Sequence, residues 1–361
     1  MKKTLAAVAV LGAFAGSALA ADVTLYGKVD LGLQYTHSET DFDNAATRDT
    51  DYDKFAMKSG GNSSSRFGLK GVEEISEGLK VGFQLEHGFT ADDNEATKLF
   101  SREMRLYVTS DFGTLHMGRF GGLDSNTGSV DMTGDLYATT GYGDAIAVVD
   151  EVMHVNGDRF ANSIAYTSPE FAGVTVSAMA SLGKDTYDEV KTDKLIGREG
   201  SSKVDRYYAL GAMGQWGALG AGVVVSTEDF GDATKDKDQD NSMNVTAGVN
   251  YDFGVVKTFL AANYYDNGLR TKDYGVVLSA VAPVGSGDIE LAAGYGKTKT
   301  DAKTSAEKDE KGDALTVGAM YKYPLSKRTY VYAGAGYTQV EEKDVKETKT
   351  YQVVSGLCHN F

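Results

Sequence analysis

The chain holds one cysteine, Cys358, among 361 residues. No disulfide can form within it, which excludes a small secreted disulfide scaffold. Proline is nearly as scarce, at three residues. Each proline removes a ladder donor, so this scarcity suits long strands whose every backbone N–H must be paired. Beyond the first twenty residues, no segment approaches the roughly 20 apolar residues that a membrane helix needs. Histidine stands only at 37, 87, 116, 154 and 359, without ligand spacing, and no Ser-His-acid order is present. No metal, no cofactor and no enzymatic activity are expected, and no nucleic-acid partner.

Two suggestive stretches carry no chemistry. Asp236-Lys237-Asp238-Gln239-Asp240 imitates the start of a calcium loop, but Asn241 and Ala247 stand where the glycine and the closing glutamate belong. Gly217 to Gly222 falls in a turn and a strand, not before a helix, so it is no phosphate cradle.

At the N-terminus, Met1-Lys2-Lys3 precedes an apolar run from Thr4 to Gly16 and then Ser17-Ala18-Leu19-Ala20. A basic start, a short apolar core and small residues at the cleavage positions predict a signal peptide over residues 1–20. The run is too short to span a bilayer. Removing Lys2 and Lys3 takes the net charge from −15 to −17. Much of that charge lies in polar stretches such as Asp232 to Asp240 and Glu307 to Asp313.

The whole chain is rich in glycine (43), tyrosine (21) and phenylalanine (15), nearly all of them in residues 21–361. It also alternates with period two. Leu25, Val29, Leu31 and Leu33 share one face, opposite Tyr26, Lys28, Asp30 and Gln34. The pattern recurs in Met243 to Tyr251, in Ile289 to Tyr295, and where Leu315, Val317, Ala319 and Tyr321 oppose Thr316 and Lys322. Successive side chains of a strand point to opposite faces, so each such segment is apolar on one face and polar on the other.

The breaks alternate as well. Ser110-Asp111-Phe112-Gly113 and Tyr251-Asp252-Phe253-Gly254 are tight, whereas His37–Asn62, Gly183–Ser202, Glu228–Asn241 and Thr300–Asp313 are long and charged. Short turns at one end and long loops at the other are the plan of an outer-membrane barrel. The expected fold is all-β, a single transmembrane antiparallel β-barrel of about 16 strands. A soluble two-faced sandwich would show the same period with its faces reversed. The export signal and the closing aromatic Phe361 favour the barrel.

Several segments in order resemble the general trimeric porins of Gram-negative bacteria, most of all the neisserial and β-proteobacterial branch. They are VTLYGKVDLGL, SRFGLKGVEEISEGLKVGFQLEHGF, SREMRLYVTSDFGTLHMGR, NSIAYTSPEFAGVTVSA, YKYPLSKRTYVYAG and the terminal GLCHNF. The resemblance covers essentially all of residues 21–361. It implies 16 strands, a homotrimer, and a third loop, about 121–158, folded into the lumen. Two departures stand out. Cys358 occupies a place where the family usually has an arginine, and Asp131-Met132-Thr133-Gly134-Asp135-Leu136 lacks the proline common at the third loop's tip.

In that family a basic ladder on the wall faces acids on the inserted loop, and facing clusters of charge give a pore its selectivity. Parity puts Lys28, Arg66, Arg105 and Arg159 on the inner face, matching the ladder. An arginine on the lipid side would cost about 2–4 kcal/mol at mid-bilayer. Parity favours Arg105, while alignment to the family selects Arg102. Arg119 shares parity with outward Leu115 and Met117, at a strand end. Glu86, also inward, would anchor one of the basic residues. Asp131 and Asp135 resemble the acidic pair of the constriction loop.

The expected function is that of an outer-membrane general diffusion porin for ions and small hydrophilic solutes. The alternatives are a substrate-specific outer-membrane channel and, third, a barrel adhesin. Acidic outer loops are expected to bridge lipopolysaccharide phosphates through divalent cations.

Overall fold

The structure, a computed structural model, describes residues 23–44, 47–93, 98–138, 148–157, 159–183, 204–231, 236, 239–302 and 309–361. The expected signal peptide lies outside them, as does most of the 183–202 loop.

Among the described residues, seventeen strands form one antiparallel sheet. They are β1 (Thr24–Phe42), β2 (Thr50–Ser59), β3 (Arg66–Ser76), β4 (Leu79–Gly88), β5 (Glu103–Ser110), β6 (Gly113–Gly121), β7 (Arg159–Thr167), β8 (Val174–Ser181) and β9 (Arg206–Trp216). They continue with β10 (Leu219–Asp229), β11 (Met243–Asp252), β12 (Lys257–Asp266), β13 (Thr271–Val284), β14 (Gly287–Thr300), β15 (Glu310–Pro324), β16 (Thr329–Glu342) and β17 (Lys346–Asn360).

Each strand pairs with its sequence neighbours, and β17 pairs back onto β1 from Lys28↔Asn360 to Phe42↔Lys346. The sheet is therefore closed and has no free edge round the wall, which is what a sheet in lipid requires. The wall has 16 strands, because β2 and β3 are two halves of one. Leu31 pairs with Ser59, and Lys28 pairs with Arg66 on the same side of β1. Residues 60–65 leave the strand between them as a bulge that lies on the polar face, opened by Gly60 at φ 73. Asp30, fully buried, holds the bulge: its carboxylate accepts from Tyr332 OH (2.6 Å), Ser63 N–H (2.9 Å) and Asn62 N–H (3.2 Å).

The faces divide as the period requires. Leu33, Val249, Leu278, Leu291, Val353 and Phe361 are exposed on the outer face, while Asn244, Asn250, Asn263, Ser279 and Thr316 are buried on the other. One break differs from expectation. His37–Asn62 is not a loop: β1 runs on to Phe42 and β2 returns from Thr50. The Thr300–Asp313 break, by contrast, falls where β14 ends at Thr300, with β15 resuming at Glu310. Charged residues such as Glu39, Asp41, Asp51 and Asp53 crowd the β1–β2 hairpin, so the two-faced signal weakens there while the backbone ladder continues.

The connection from β6 to β7 packs on the polar face of the sheet. Leu123, Val130 and Met132 are buried against Ala165, Met179, Ala209 and Val224. Leu136, Tyr137, Val149, Val152 and Met153 are buried against Ala261, Val277 and Ala314, and Val148 against Ala292, Met320 and Val354. Each such large apolar side chain contributes about 1.5–3 kcal/mol on full burial. That offsets the roughly 1–2 kcal/mol per residue needed to order the backbone. Polar pins add direction: Asp124 accepts from Tyr207 OH (2.6 Å), Asn244 Nδ2 (2.8 Å) and Ser226 OH.

Candidate pore constriction

Lys28, Arg66, Glu86, Arg102, Arg159 and Lys322 line one open cavity of about 780 Å³, together with Asp131, Asp150 and Glu103. Among the described residues, five basic groups and four carboxylates line it. Lys28 comes from β1 and donates from Nζ to Ser63 Oγ at 3.1 Å. Arg66 opens β3 and gives one N–H to the Ser64 carbonyl at 2.9 Å. Glu86, on β4, sits between two guanidinium groups. Arg102 Nε donates to it at 2.6 Å, Arg66 Nε lies at 3.7 Å, and Tyr26 OH donates at 3.0 Å. Its hydrogen-bonded basic partner is thus Arg102, and Arg66 is the one selected ladder residue beside it.

Arg102 and Arg159 converge on the connection's first turn. Both donate to Thr127 Oγ1, at 3.4 and 3.1 Å. Glu103 ties down the next residues, accepting from Ser129 N–H (2.6 Å) and Ser129 OH (2.7 Å). The two arginines thus lie at the point where the wall meets the loop.

Arg105 departs from the expectation. It faces inward, as parity requires, yet it is nearly buried and does not line the cavity. One guanidinium nitrogen lies 2.7 Å from His116 Nδ1, another donates to Gln84 Oε1 at 2.8 Å, and the group stacks over Tyr107. Ser129 OH caps the same Gln84 oxygen at 3.1 Å. The inner wall here is covered, so pointing inward is not the same as reaching water. Arg102 stands before the first residue of β5. Alternation has no authority there, and only the family alignment marked it.

Asp131 and Asp135 part company. Asp131 lines the cavity, but its carboxylate also organises its own turn. It accepts from Asn126 N–H (2.7 Å), Thr133 OH (2.8 Å), Gly134 N–H (2.8 Å) and Thr133 N–H (3.2 Å). Burial pushes this carboxyl up to about 6, against the pull of those donors. Asp135 is exposed and does not line that cavity; it shares with Asp131 a smaller one of about 460 Å³, beside Thr167, Thr175 and Ser177. Only its backbone oxygen touches the wall, accepting from Asn250 Nδ2 at 2.9 Å.

Two basic residues escaped the sequence-based selection. Lys322 is on the polar face of β15, as its parity shows, and its Nζ donates to Glu290 Oε1 at 2.7 Å. Arg119 follows a register shift between Gly118 and Phe120. It lines an adjoining cavity of about 440 Å³ with Arg102 and Arg159.

The family model described as Gram-negative porin matches residues 6–343. An outer membrane porin protein of Bordetella pertussis is 28% identical, with all of both chains aligned. Outer membrane porin protein 32 of Delftia acidovorans is 30% identical over 99% of this chain and 95% of its own. Among solved structures, an anion-selective porin from Comamonas acidovorans superposes with a TM-score of 0.67 at 24% identity, covering 95% of this chain and all of the other. With a closed barrel, an apolar exterior and a charged lumen already in hand, the chain belongs to the Gram-negative porin family and is an outer-membrane porin.

Proposed function

We propose that ions and small hydrophilic solutes cross passively through an electrostatic eyelet. Its basic wall is Lys28, Arg66, Arg102, Arg159 and Lys322, and its acidic side is Asp131 and Asp150 on the 122–157 connection. Glu86 spaces Arg66 and Arg102. Arg105 supports the wall from behind by fixing Gln84, and Asp135 lies off the path. The observation that carries this reading is one open cavity, about 780 Å³, lined by both signs of charge. A field across such an aperture orients dipolar solutes and disfavours apolar ones.

The test is liposome swelling by purified, refolded protein with sugars of graded size. Flux should rise linearly with the gradient and fall with solute size. Saturable uptake of one solute would overturn the general-diffusion reading in favour of a dedicated channel.

The assembly is a homotrimer joined near the first and last wall strands, and each barrel keeps its own pore. Support comes from the outer side of β1, β2 and β17, where Leu33, Phe55, Met57 and Leu357 are exposed and apolar. Unheated gels should show a trimer, and a monomer mass in native-like lipid would refute it. Residues 1–20 act as the signal peptide, so the mature chain begins at Ala21. Acidic outer loops bridge lipopolysaccharide phosphates through divalent cations.

A further inference from the structure

Three glycines on the inner face of β13 and β14 meet a single residue of the long connection. Gly275 and Gly296 are direct cross-strand partners, and Gly294 lies opposite Val277. A Cβ on Gly275 would stand 1.9 Å from the Val152 carbonyl oxygen. On Gly294 it would stand 2.6 Å from Val152 Cγ2, and on Gly296 2.9 Å from both Cα and O of Val152. None of the three has a left-handed φ. Alanine would therefore be acceptable to the backbone, and space alone forbids it. Glycine inside a strand marks a place where another backbone comes close.

Val152 is presented as a knob. It is 5% exposed, and the N–H groups of Val152 and Met153 both donate to the Val149 carbonyl, at 3.1 and 2.9 Å. The chain on either side is pinned to the wall. Ala138 N–H donates to Ser279 Oγ at 2.8 Å, and His154 N–H donates to Asn263 Oδ1 at 3.0 Å.

The geometry points to Gly275, Gly294 and Gly296 as positioning residues that set the pore's aperture. They form a pit that lets the connection lie one side chain nearer the wall. Asp150, two residues before the knob, is thereby drawn back from the open cavity it lines. This inference rests on the eyelet reading above and adds what fixes the eyelet's width. The direction follows from stiffness. β13 and β14 are hydrogen-bonded to neighbours on both sides within a closed sheet, so the wall cannot retreat. A methyl on Gly275 must push the Val152 carbonyl from 1.9 Å to beyond 3.0 Å, and the only free direction is into the lumen.

The three glycines differ in a way that can be tested. At Gly294 the nearest obstacle is the Val152 side chain, whereas at Gly275 it is the Val152 backbone. Trimming Val152 can relieve the first and not the second. The experiment compares single-channel conductance and the sugar size limit for wild type, Gly275→Ala, Gly294→Ala and each combined with Val152→Ala. Folding is checked by heat-modifiable gel mobility. Both single variants should conduct less and exclude smaller sugars than wild type, Gly275→Ala more severely. Val152→Ala should restore Gly294→Ala and leave Gly275→Ala impaired. Should Gly275→Ala not assemble, the Gly294→Ala pair carries the comparison alone. Unchanged conductance in folded Gly294→Ala, or no restoration by Val152→Ala, overturns the inference while leaving an open wild-type channel intact. Saturable wild-type flux would instead strike the underlying diffusion reading.

Discussion

Replacing Arg102 by glutamine removes one of the five basic groups that line the cavity. Glu86 keeps Arg66 and Tyr26 as partners, so the barrel should still assemble. A permeating ion about 6 Å from a unit charge in a water-filled lumen feels about 0.7 kcal/mol. Screening over a Debye length of about 8 Å roughly halves that, to about 0.35 kcal/mol. Cation occupancy then rises by about 1.8-fold and anion occupancy falls by the same factor, since about 1.4 kcal/mol is tenfold. The permeability ratio should move about threefold toward cations, read as a reversal-potential shift in a planar bilayer under a salt gradient. Arg105→Gln should move it less, because that guanidinium is enclosed by Gln84, His116 and Tyr107 and does not reach the cavity. Neutralising Asp236 and Asp240, outside the eyelet, should also do little. If Arg105→Gln or the outer-loop pair shifts the ratio as far as Arg102→Gln, the constriction is wrongly placed.

Two further outcomes follow from the connection. Burial raises the Asp131 carboxyl to about 6, so it is charged at pH 7.5 and largely neutral at pH 5. Acidification over that range should move the reversal potential toward anions, and Asp131→Asn should remove that component. For stability, a carboxyl raised on folding favours the native state fully below about 3.9, and this contribution is lost as pH rises through about 6. Unfolding midpoints of wild type and Asp131→Asn should converge at neither end of that window but differ in slope across it. Asp124→Ala would strip the buried donors of Tyr207, Ser226 and Asn244 of their acceptor. A loss of at least about 2 kcal/mol is expected, seen as earlier heat modification on gels and noisier open channels, with Asp124→Asn milder. Equal noise and stability in the alanine variant would show that the anchor is dispensable.

The alternation of Leu25 to Gln34 or Leu315 to Lys322 already contains the lipid-facing wall, because period two is a property of the extended backbone itself. Strand number was legible from the same source, since each apolar-out segment ends at a turn. Even Lys322 was present in the pattern, though its role was not. The sequence could not say which inward side chains meet water. Val277 and Val224 look like breaks in a polar face until the connection covers them. Arg105 obeys parity and is covered too, whereas Arg102, outside any strand, reaches the lumen. Asp131 and Asp135, alike on paper, share one small cavity, but only Asp131 also lines the charged one. Orientation in a strand is decided locally, by the geometry of one residue and the next. Exposure inside a barrel is decided by a chain segment lying across strands 50 to 200 residues away in sequence, as Asp124 does with Tyr207, Ser226 and Asn244 at separations of 83 to 120, and no local period encodes that contact.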